Sequence, residues 1–276
     1  HSDHRRQRQM CIRDRSSAPA YDPIIQAHAG VAATQGRGEE PAFMRTLLCD
    51  KITGYTACQA VTSALFVRER TGEGQHIDLS MIDSGLFFIF LDGFQNHTLL
   101  SDDHERGGML IDILYDPWVC SDGGVIISAG SYEMQKRFLT SIDMQHLLDD
   151  ERFATFENQM RNIHVLKGLV SERCAELSCD EMVGRLREVD VPCAKVMTRD
   201  EVLAQEQLSA NGTVDIYDHP IAGSSRRILA PPLFGGERLA PGSGAPTHGQ
   251  HTREVLESFG VSETDIQKLS SDGGVA

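Results

Sequence analysis

The stretch RERTGEGQHIDLSMIDS, residues 68–84, holds two closely spaced glycines between segments of different periodicity. Glycine takes positive φ without steric strain, so Gly72 and Gly74 favour a tight turn where a helix ends. We expect Gln75 to anchor this turn. The chain therefore changes here from one kind of secondary structure to another, and the fold class depends on what lies on each side.

The two sides of this turn have different periods. Before it, apolar residues recur at helical spacing over residues 54–70, which predicts a helix that packs closely on a neighbour. After it, Ile77 and Leu79 alternate with polar residues, which predicts a strand over residues 74–80. The apolar segment 81–94 returns to helix. Helix, turn, strand and helix in this order indicate an α/β layer architecture.

Residues 22–33, upstream of the turn, have the pattern of a short helix. Asp22 suits the N-cap, because its carboxylate can accept a hydrogen bond from a backbone amide of the first turn. Pro23 suits the first helical position, because it has no N–H that would lack a partner there. Gly36 and Gly38 are expected to end it.

A polar stretch, SDDHERGG at residues 101–108, has the composition of a linker to a second region. MLIDILY and WVC predict strands beyond it, and Asp122-Gly123 predicts a hairpin turn into the strand GVIISA. Helical spacing follows, then a further strand in VPCAKVM, which together predict a small α+β unit. The predicted helical segments contain Met134, Phe138 and Ile142, then Ile163, Leu166 and Val170, then Met182 and Leu186.

The C-terminal part combines glycine- and proline-rich loops with helices. Residues 231–246 are predicted to be loops. A helix is expected from Thr252 to Phe259-Gly260, followed by a second helix start at which Ser262 and Asp265 form a cap.

Charge and hydropathy exclude several classes of partner. The chain carries 26 basic and 40 acidic residues, a formal net charge of −14, which disfavours nucleic acid and anionic membranes because both require positive potential. The apolar run GLFFIFL, residues 85–91, stops at Asp92 and is much shorter than the ~20 residues that span a bilayer. We expect a globular protein without nucleic acid or membrane partners.

The seven cysteines are scattered and include no CxxC pair, so the sequence predicts neither a disulfide framework nor a metal site. They are interpreted as reduced thiols of a cytoplasmic protein. Cys49, beside Asp50, has two interpretations, a thiol nucleophile or a buried free cysteine, and the second is the common one.

The first fifteen residues, HSDHRRQRQMCIRDR, differ in kind from the rest, with five arginines, two histidines and no apolar periodicity. They are typical of a non-native or disordered tail, and MCIRDR resembles a translated sequencing adapter. We expect the folded sequence to begin near Ser16 in a truncated chain.

Asp50 lies in LLCDKITG, residues 47–54, between an apolar run and a helical pattern. Its spacing fits a helix N-cap, a role that aspartate performs well. The same carboxylate could act as a nucleophile, since aspartate is ionised at neutral pH. Spacing alone leaves both readings open.

Four ordered segments are similar to class III coenzyme A transferases of the CaiB/BaiF type, which include the formyl-CoA transferases. The match covers residues 16–276. The stretch 68–84 resembles the family pattern R-x-x-T-G-x-G-Q-x-(I/V)-D-x-S-x-x-(D/E). The other segments are AYDPIIQAHAG at 20–30, the helix at Asp50 and PTHGQHTREVLESFGVSETDIQKL at 246–269.

The resemblance implies a Rossmann-like large domain with an inserted small α+β domain, in subunits that interlock as a homodimer. Residues 16–105 and 218–276 would form the large domain, and residues 108–215 the small one. The family's N-terminal segment, which supplies most contacts to the coenzyme, has no counterpart here, so the large domain would be incomplete at its N-terminus.

The resemblance also implies a chemistry. Asp50 aligns with the family's catalytic aspartate, which carries covalent acyl and CoA intermediates, while Tyr21 and Asp22 match a pair that lines the active site. Tyr21 read by itself is a core aromatic. Acyl-CoA and carboxylic acids would be the substrates, with no tightly bound cofactor. Only Gly107-Gly108 stands where some members carry a glycine-rich lid, which leaves the closure of the site and the acids open.

Two alternatives remain. Related α-methylacyl-CoA racemases place a histidine where Tyr21 stands, because moving a proton requires two groups of accessible pKa, so Tyr21 favours transfer. The second alternative is a catalytically silent fragment that serves as a folded remnant or dimerisation partner.

Overall fold

Two short helices come first among the described residues of the computed structural model, which are 20–36, 40–101, 103 and 115–275. Helix α1 covers Asp22–His28 and α2 covers Val31–Gln35. Gly30 separates them with a φ of 82° and packs on the ring of Phe94, so the single helix predicted over residues 22–33 is two. Tyr21 is the N-cap of α1, and Asp22 is the first helical residue rather than the cap.

The long helix α3 covers Leu48–Thr71 and ends at Gly72, whose φ of 78° confirms the predicted glycine cap. It begins two residues before Asp50, so the prediction of a helix initiated by that aspartate is wrong. Helix α4 covers Met81–Gly93, as its apolar pattern predicted. The Ser80 hydroxyl caps α4 by accepting the amide N–H of Asp83 at 3.3 Å.

The strand predicted over residues 74–80 is absent. This segment pairs with no strand among the described residues, and a strand requires a neighbour to bond with its amides and carbonyls. Helix α3 packs on α4 and α1, which confirms the predicted close packing, although Val61 is 50% and Leu65 45% exposed. The alternation over residues 74–80 predicted an extended segment, and the helical spacing of α3 predicted a helix. Neither pattern identifies which element lies beside the segment.

A small apolar cluster joins the first four helices. It contains Ile25 of α1, Ala29 directly after α1, Cys49 of α3 and Met81 of α4, each less than a tenth exposed. Gly85 lets α4 come close, because a Cβ there would lie 3.1 Å from the Cβ of Ala29. The start of α3 is therefore held against α1 and α4.

An antiparallel sheet of order β1-β2-β3 follows, with β1 at Trp118–Cys120, β2 at Gly123–Ile127 and β3 at Cys193–Lys195. The hairpin is confirmed, but its two turn residues are Ser121 and Asp122, one position earlier than predicted. The first six residues of MLIDILY, 109–114, and most of the predicted linker lie outside the described residues.

Four α-helices among the described residues pack around this sheet, three of them predicted and one, α6, missed. Their buried side chains and those of the sheet form one apolar cluster that includes Phe138, Val170 and Leu186. Hydroxyl side chains cap three of the four, as short helices require for their orphan amides. The helices are α5 at Tyr132–Ser141, α6 at Phe156–Arg161, α7 at Ile163–Glu176 and α8 at Cys179–Glu188.

The chain divides into two compact units, one ending at Val196 and one beginning at Met197. The second unit contains an antiparallel hairpin that the sequence analysis missed, β4 at Val214–His219 and β5 at Gly223–Ile228. A two-residue pair, β6 at Leu233–Phe234 and β7 at Glu237–Arg238, interrupts the predicted loops. Its helices are α9 at Arg199–Leu203, α10 at Glu206–Ala210, α11 at Thr252–Ser258 and α12 at Glu263–Ser271.

The C-terminal helices confirm their predicted boundaries. Helix α11 starts at Thr252, and Gly260 follows it with a φ of 79°. The Ser262 hydroxyl accepts the amide N–H of Asp265 at 3.2 Å and so caps α12.

We expect the glycine cap of α3 to be sensitive to substitution at one position only. Gly72→Ala should lower the free energy of unfolding by about 1–2 kcal/mol, because an L residue is strained at positive φ. Gly74→Ala is the matched control; it has no positive φ, and neither added Cβ would meet an atom within 4 Å. Urea unfolding measures both, and equal losses for the two variants would contradict the assignment.

Candidate active site

Asp50 lies in the first turn of α3, where its side chain does not cap the helix. The N-cap is Leu47, which makes no side-chain bond to the helix. The amide N–H of Asp50 instead donates to the Asp22 Oδ2 atom at 3.0 Å, so an aspartate from α1 caps α3. The Asp50 side chain makes no hydrogen bond or ion pair with any described residue, and the residue is exposed although its carboxylate is partly desolvated. The capping interpretation of Asp50 is therefore wrong, and its carboxylate is available for chemistry.

Asp22 is 1% exposed, and its two oxygens have different partners. Oδ2 accepts the amide of Asp50, while Oδ1 accepts the side-chain amide of Gln26 at 2.5 Å. Both bonds engage the carboxylate in one orientation. Asp22 caps a helix, but it is α3 and not the α1 that the sequence predicted.

Tyr21 precedes Asp22 and is 60% exposed, so it is not the core aromatic of its simpler interpretation. Its carbonyl oxygen accepts the amides of Ile24 and Ile25, which begins α1. The Tyr21 side chain therefore lies at the surface, beside the buried aspartate in the chain.

A groove of about 450 Å³ lies between α3 and the segment that follows the Gly72 turn. Of the described residues that line it, Asp50 is the only charged one, and Ile77 and Leu79 form part of the wall. A Cβ at Gly54 would meet no atom within 4 Å, so this glycine leaves the groove open one turn after Asp50. The lining residues are Asp50, Thr53, Gly54, Ala57, Val61, Ile77, Leu79 and Met81.

The acidic groups at the start of α3 act on one another. Burial raises the pKa of the Asp50 carboxyl above its ordinary value, and the negative charge of Asp22 raises it further. Burial, followed by the charges of Asp22 and Asp50, raises the pKa of the Cys49 thiol to about 11. Cys49 is therefore a protonated, fully buried thiol at neutral pH, which disfavours the thiolate nucleophile.

The other residues of the predicted site have simpler surroundings. Gly72 has the expected positive φ, whereas Gly74 does not. The Gln75 side chain makes no hydrogen bond with a described residue, so no contact supports its anchoring of the turn.

In the part of the chain that the structure describes, no cluster of three or more His, Cys, Asp or Glu residues could hold a metal ion. Within the same residues, no helix is long and apolar enough to cross a bilayer.

Gln26 is the site residue that the sequence analysis missed. It is 1% exposed and bonds to Asp22, one turn before it on α1. Its signal in the sequence is a glutamine four positions after an aspartate in an otherwise apolar and small helix. That spacing places the two side chains on one helical face but does not say that the face is buried.

Comparisons with known proteins agree with the fold. The sequence pattern of CoA-transferase family III matches residues 13–252, and the chain belongs to this family. The predicted resemblance to class III coenzyme A transferases is confirmed. An acyl-CoA transferase of Fusarium pseudograminearum (strain CS3096) is 27% identical over 258 residues, which are 92% of this chain and 56% of that protein.

Two crystal structures have similar folds, with mixed helices and strands. One is a CaiB/BaiF family protein from Brucella suis, with a TM-score of 0.73 and 26% identity over 88% of this chain and 64% of that chain. The other is a protein of Mycobacterium tuberculosis in an orthorhombic form, with a TM-score of 0.73 and 21% identity over 89% of this chain and 66% of that chain. The chain thus spans less than two thirds of these relatives.

The raised pKa of Asp50 has a consequence for stability. Its carboxyl binds a proton more tightly in the folded chain than in the unfolded chain, so this contribution to stability is present below the unfolded pKa and is lost as pH rises through the folded pKa. Asp50→Asn removes the opposing charge and should raise the melting temperature at pH 7. The gain should shrink as pH falls toward the ordinary value of 3.8.

Asp83→Asn is the matched control, since Asp83 occupies the first turn of α4. Its carboxylate interacts favourably with the helix N-terminus, so its removal should not raise the melting temperature. Calorimetry of both variants from pH 7 to pH 4 tests this, and a lower melting temperature for Asp50→Asn at pH 7 would contradict it.

Proposed function

We propose that this chain is part of an enzyme that transfers coenzyme A between carboxylic acids, with Asp50 as its nucleophile. One observation carries the proposal: a carboxylate with no partner among the described residues faces an apolar groove in a chain of CoA-transferase family III. The first amides of any helix need an acceptor from outside the helix ladder. Here Asp22 performs the capping and leaves Asp50 free.

The proposed reaction proceeds through covalent intermediates on Asp50. A carboxylate oxygen attacks the thioester carbonyl carbon and the C–S bond breaks. CoA thiolate departs, and a mixed anhydride remains on Asp50. The thiolate then attacks the Asp50 carbonyl carbon, the donor acid departs as a carboxylate, and an aspartyl-CoA thioester remains. The acceptor carboxylate then attacks this thioester, the C–S bond breaks, and CoA thiolate is released as a second mixed anhydride forms. The thiolate attacks the acyl carbon of that anhydride, which releases the new acyl-CoA and the Asp50 carboxylate. No proton has to move.

The surroundings of Asp50 suit this reaction. Its raised pKa makes the ionised carboxylate a better nucleophile than an ordinary aspartate. The apolar wall of the groove would surround the acyl group and limit the access of water to the anhydride. The first turn of α3 adds the positive end of a helix dipole beside the carboxylate.

The family membership also suggests how the chain is divided into domains and how two subunits assemble. We infer that residues 16–105 and 218–276 belong to a Rossmann-like large domain, that residues 108–215 form the inserted small domain, and that two subunits interlock. Apolar side chains on α4 support a partner for this face, since Phe87 is 86% and Leu91 80% exposed. Acyl-CoA and carboxylic acids are the proposed substrates, and the cytoplasm is the proposed location.

Replacement of the nucleophile gives the direct test. The protein to be assayed is the one encoded by the longest reading frame that contains this chain. In it, Asp50→Ala should lower the rate of CoA transfer by more than about tenfold, because loss of the covalent route raises the barrier by several kcal/mol. Hydroxylamine should trap acylated wild-type protein during turnover, and mass spectrometry should locate the adduct on Asp50.

Two outcomes would overturn the proposal. One is transfer by Asp50→Ala within about tenfold of wild type, and the other is an adduct on another side chain. Deuterium exchange at the α carbon of an acyl-CoA, without transfer, would identify the racemase alternative. A silent fragment would not be retained on immobilised CoA.

The groove gives a second test. Gly54→Leu should lower kcat/KM for an acyl-CoA by about tenfold or more, because its side chain would occupy the space beside Asp50. Stability should not fall, since leucine is a better helix former than glycine by about 0.5–1 kcal/mol.

Gly184→Leu is the matched control, at a glycine of α8 that also has no atom within 4 Å of its Cβ position. It lies outside the groove and should leave kcat/KM unchanged. Unchanged activity in Gly54→Leu would show that the acyl group binds elsewhere.

A further inference from the structure

Gln26 has an unusual number of partners for a buried side chain. The two N–H groups of its Nε2 amide are shared among three acceptors, Asp22 Oδ1 at 2.5 Å and the carbonyl oxygens of Met44 and Thr46, both at 3.1 Å. Its Oε1 atom accepts the amide N–H of Met44 at 2.9 Å. Both ends of the amide are therefore in use, and the side chain is 1% exposed.

These contacts converge on the start of α3 from two directions. Through Asp22 Oδ1, Gln26 holds the carboxylate whose other oxygen accepts the amide of Asp50. Through Met44 and Thr46, it holds the backbone that leads into α3, four and two residues before its first residue. Gln26 contacts neither Asp50 nor the groove, so any effect on Asp50 acts through these intermediates.

We propose that Gln26 is a positioning residue for Asp50, acting through Asp22 and through the backbone before α3. This inference rests on the proposed function for its effect on acyl transfer. Its structural basis is separate: a carboxylate can rotate, and the Nε2 bond to Oδ1 fixes Oδ2 toward the Asp50 amide. Without that bond the first turn of α3 loses its cap, and the nucleophile loses its fixed position.

A purely structural glutamine makes a different set of contacts, and the chain provides one. Gln159 of α6 is 0% exposed, its Nε2 amide donates to the carbonyl oxygen of Phe153 at 2.9 Å, and its Oε1 atom has no partner among the described residues. Phe153 belongs to the apolar cluster around the three-stranded sheet, and Gln159 makes no bond to Asp22 or Asp50. Gln159→Met is therefore the matched control for Gln26→Met.

Hydrogen exchange at the Asp50 amide is the first measurement, because it needs no substrate. We expect Gln26→Met to speed exchange of this amide by about tenfold or more, since its bond to Asp22 is no longer held, while Gln159→Met stays within about threefold of wild type. An Asp50 amide that exchanges within about threefold of wild type in folded Gln26→Met would overturn the proposal.

Acylation of Asp50 is the second measurement, made in the longest reading frame that contains this chain. Gln26→Met should slow single-turnover acylation by about tenfold or more, with the dissociation constant of the acyl-CoA within about threefold of wild type. Gln159→Met should change neither by more than about threefold. Equal slowing by both variants would show a loss of folding alone and overturn the proposal.

A shorter amide provides the variant if Gln26→Met does not fold. Gln26→Asn keeps the donor and acceptor but cannot reach both Asp22 and Met44, so it should also speed exchange at Asp50, and wild-type exchange there would overturn the proposal. If wild-type protein forms no acyl-enzyme, the proposed function fails, and amide exchange still decides whether Gln26 holds Asp50.

Discussion

The start of α3 depends on one hydrogen bond, from the amide N–H of Asp50 to the buried carboxylate of Asp22. The first amides of a helix have no intrahelical partner, and a side chain near the helix start often satisfies them. Here the acceptor comes from another helix, 28 residues away. The Asp50 carboxylate is consequently not used as a cap and lines the groove, as the proposed nucleophile would.

The same arrangement makes Asp50 unfavourable for folding. Its carboxylate is partly desolvated and lies near the charge of Asp22, and both effects raise its pKa. A group that opposes folding yet occupies a groove is typical of functional sites, where local stability is lost for chemistry. The burial of Asp22 and the several bonds of Gln26 offset this cost by holding the carboxylate of Asp22 in one orientation. The side chains of Asp50, Asp22 and Gln26 therefore affect both the stability of the fold and the proposed reactivity.

The sequence predicted local structure where a segment carries its own signal. The glycine cap at Gly72, the helix over residues 81–94 and the cap at Ser262 need only neighbours along the chain, and all are confirmed. The strand over residues 74–80 failed because alternation describes a surface, whereas a strand also needs a partner. The hairpin of β4 and β5 was missed, since its alternation is weak between polar residues.

The sequence by itself determined the family, the longer helices and the candidate nucleophile, because these depend on motifs and spacings of a few residues. Tertiary structure alone decided that Asp22 caps α3 rather than α1, that Gln26 bonds to the backbone of Met44 and Thr46, and that Cys49 is a buried thiol. The physical reason is distance along the chain. Burial and hydrogen bonds between residues 18 to 28 positions apart follow from how helices pack, and no local pattern records that packing.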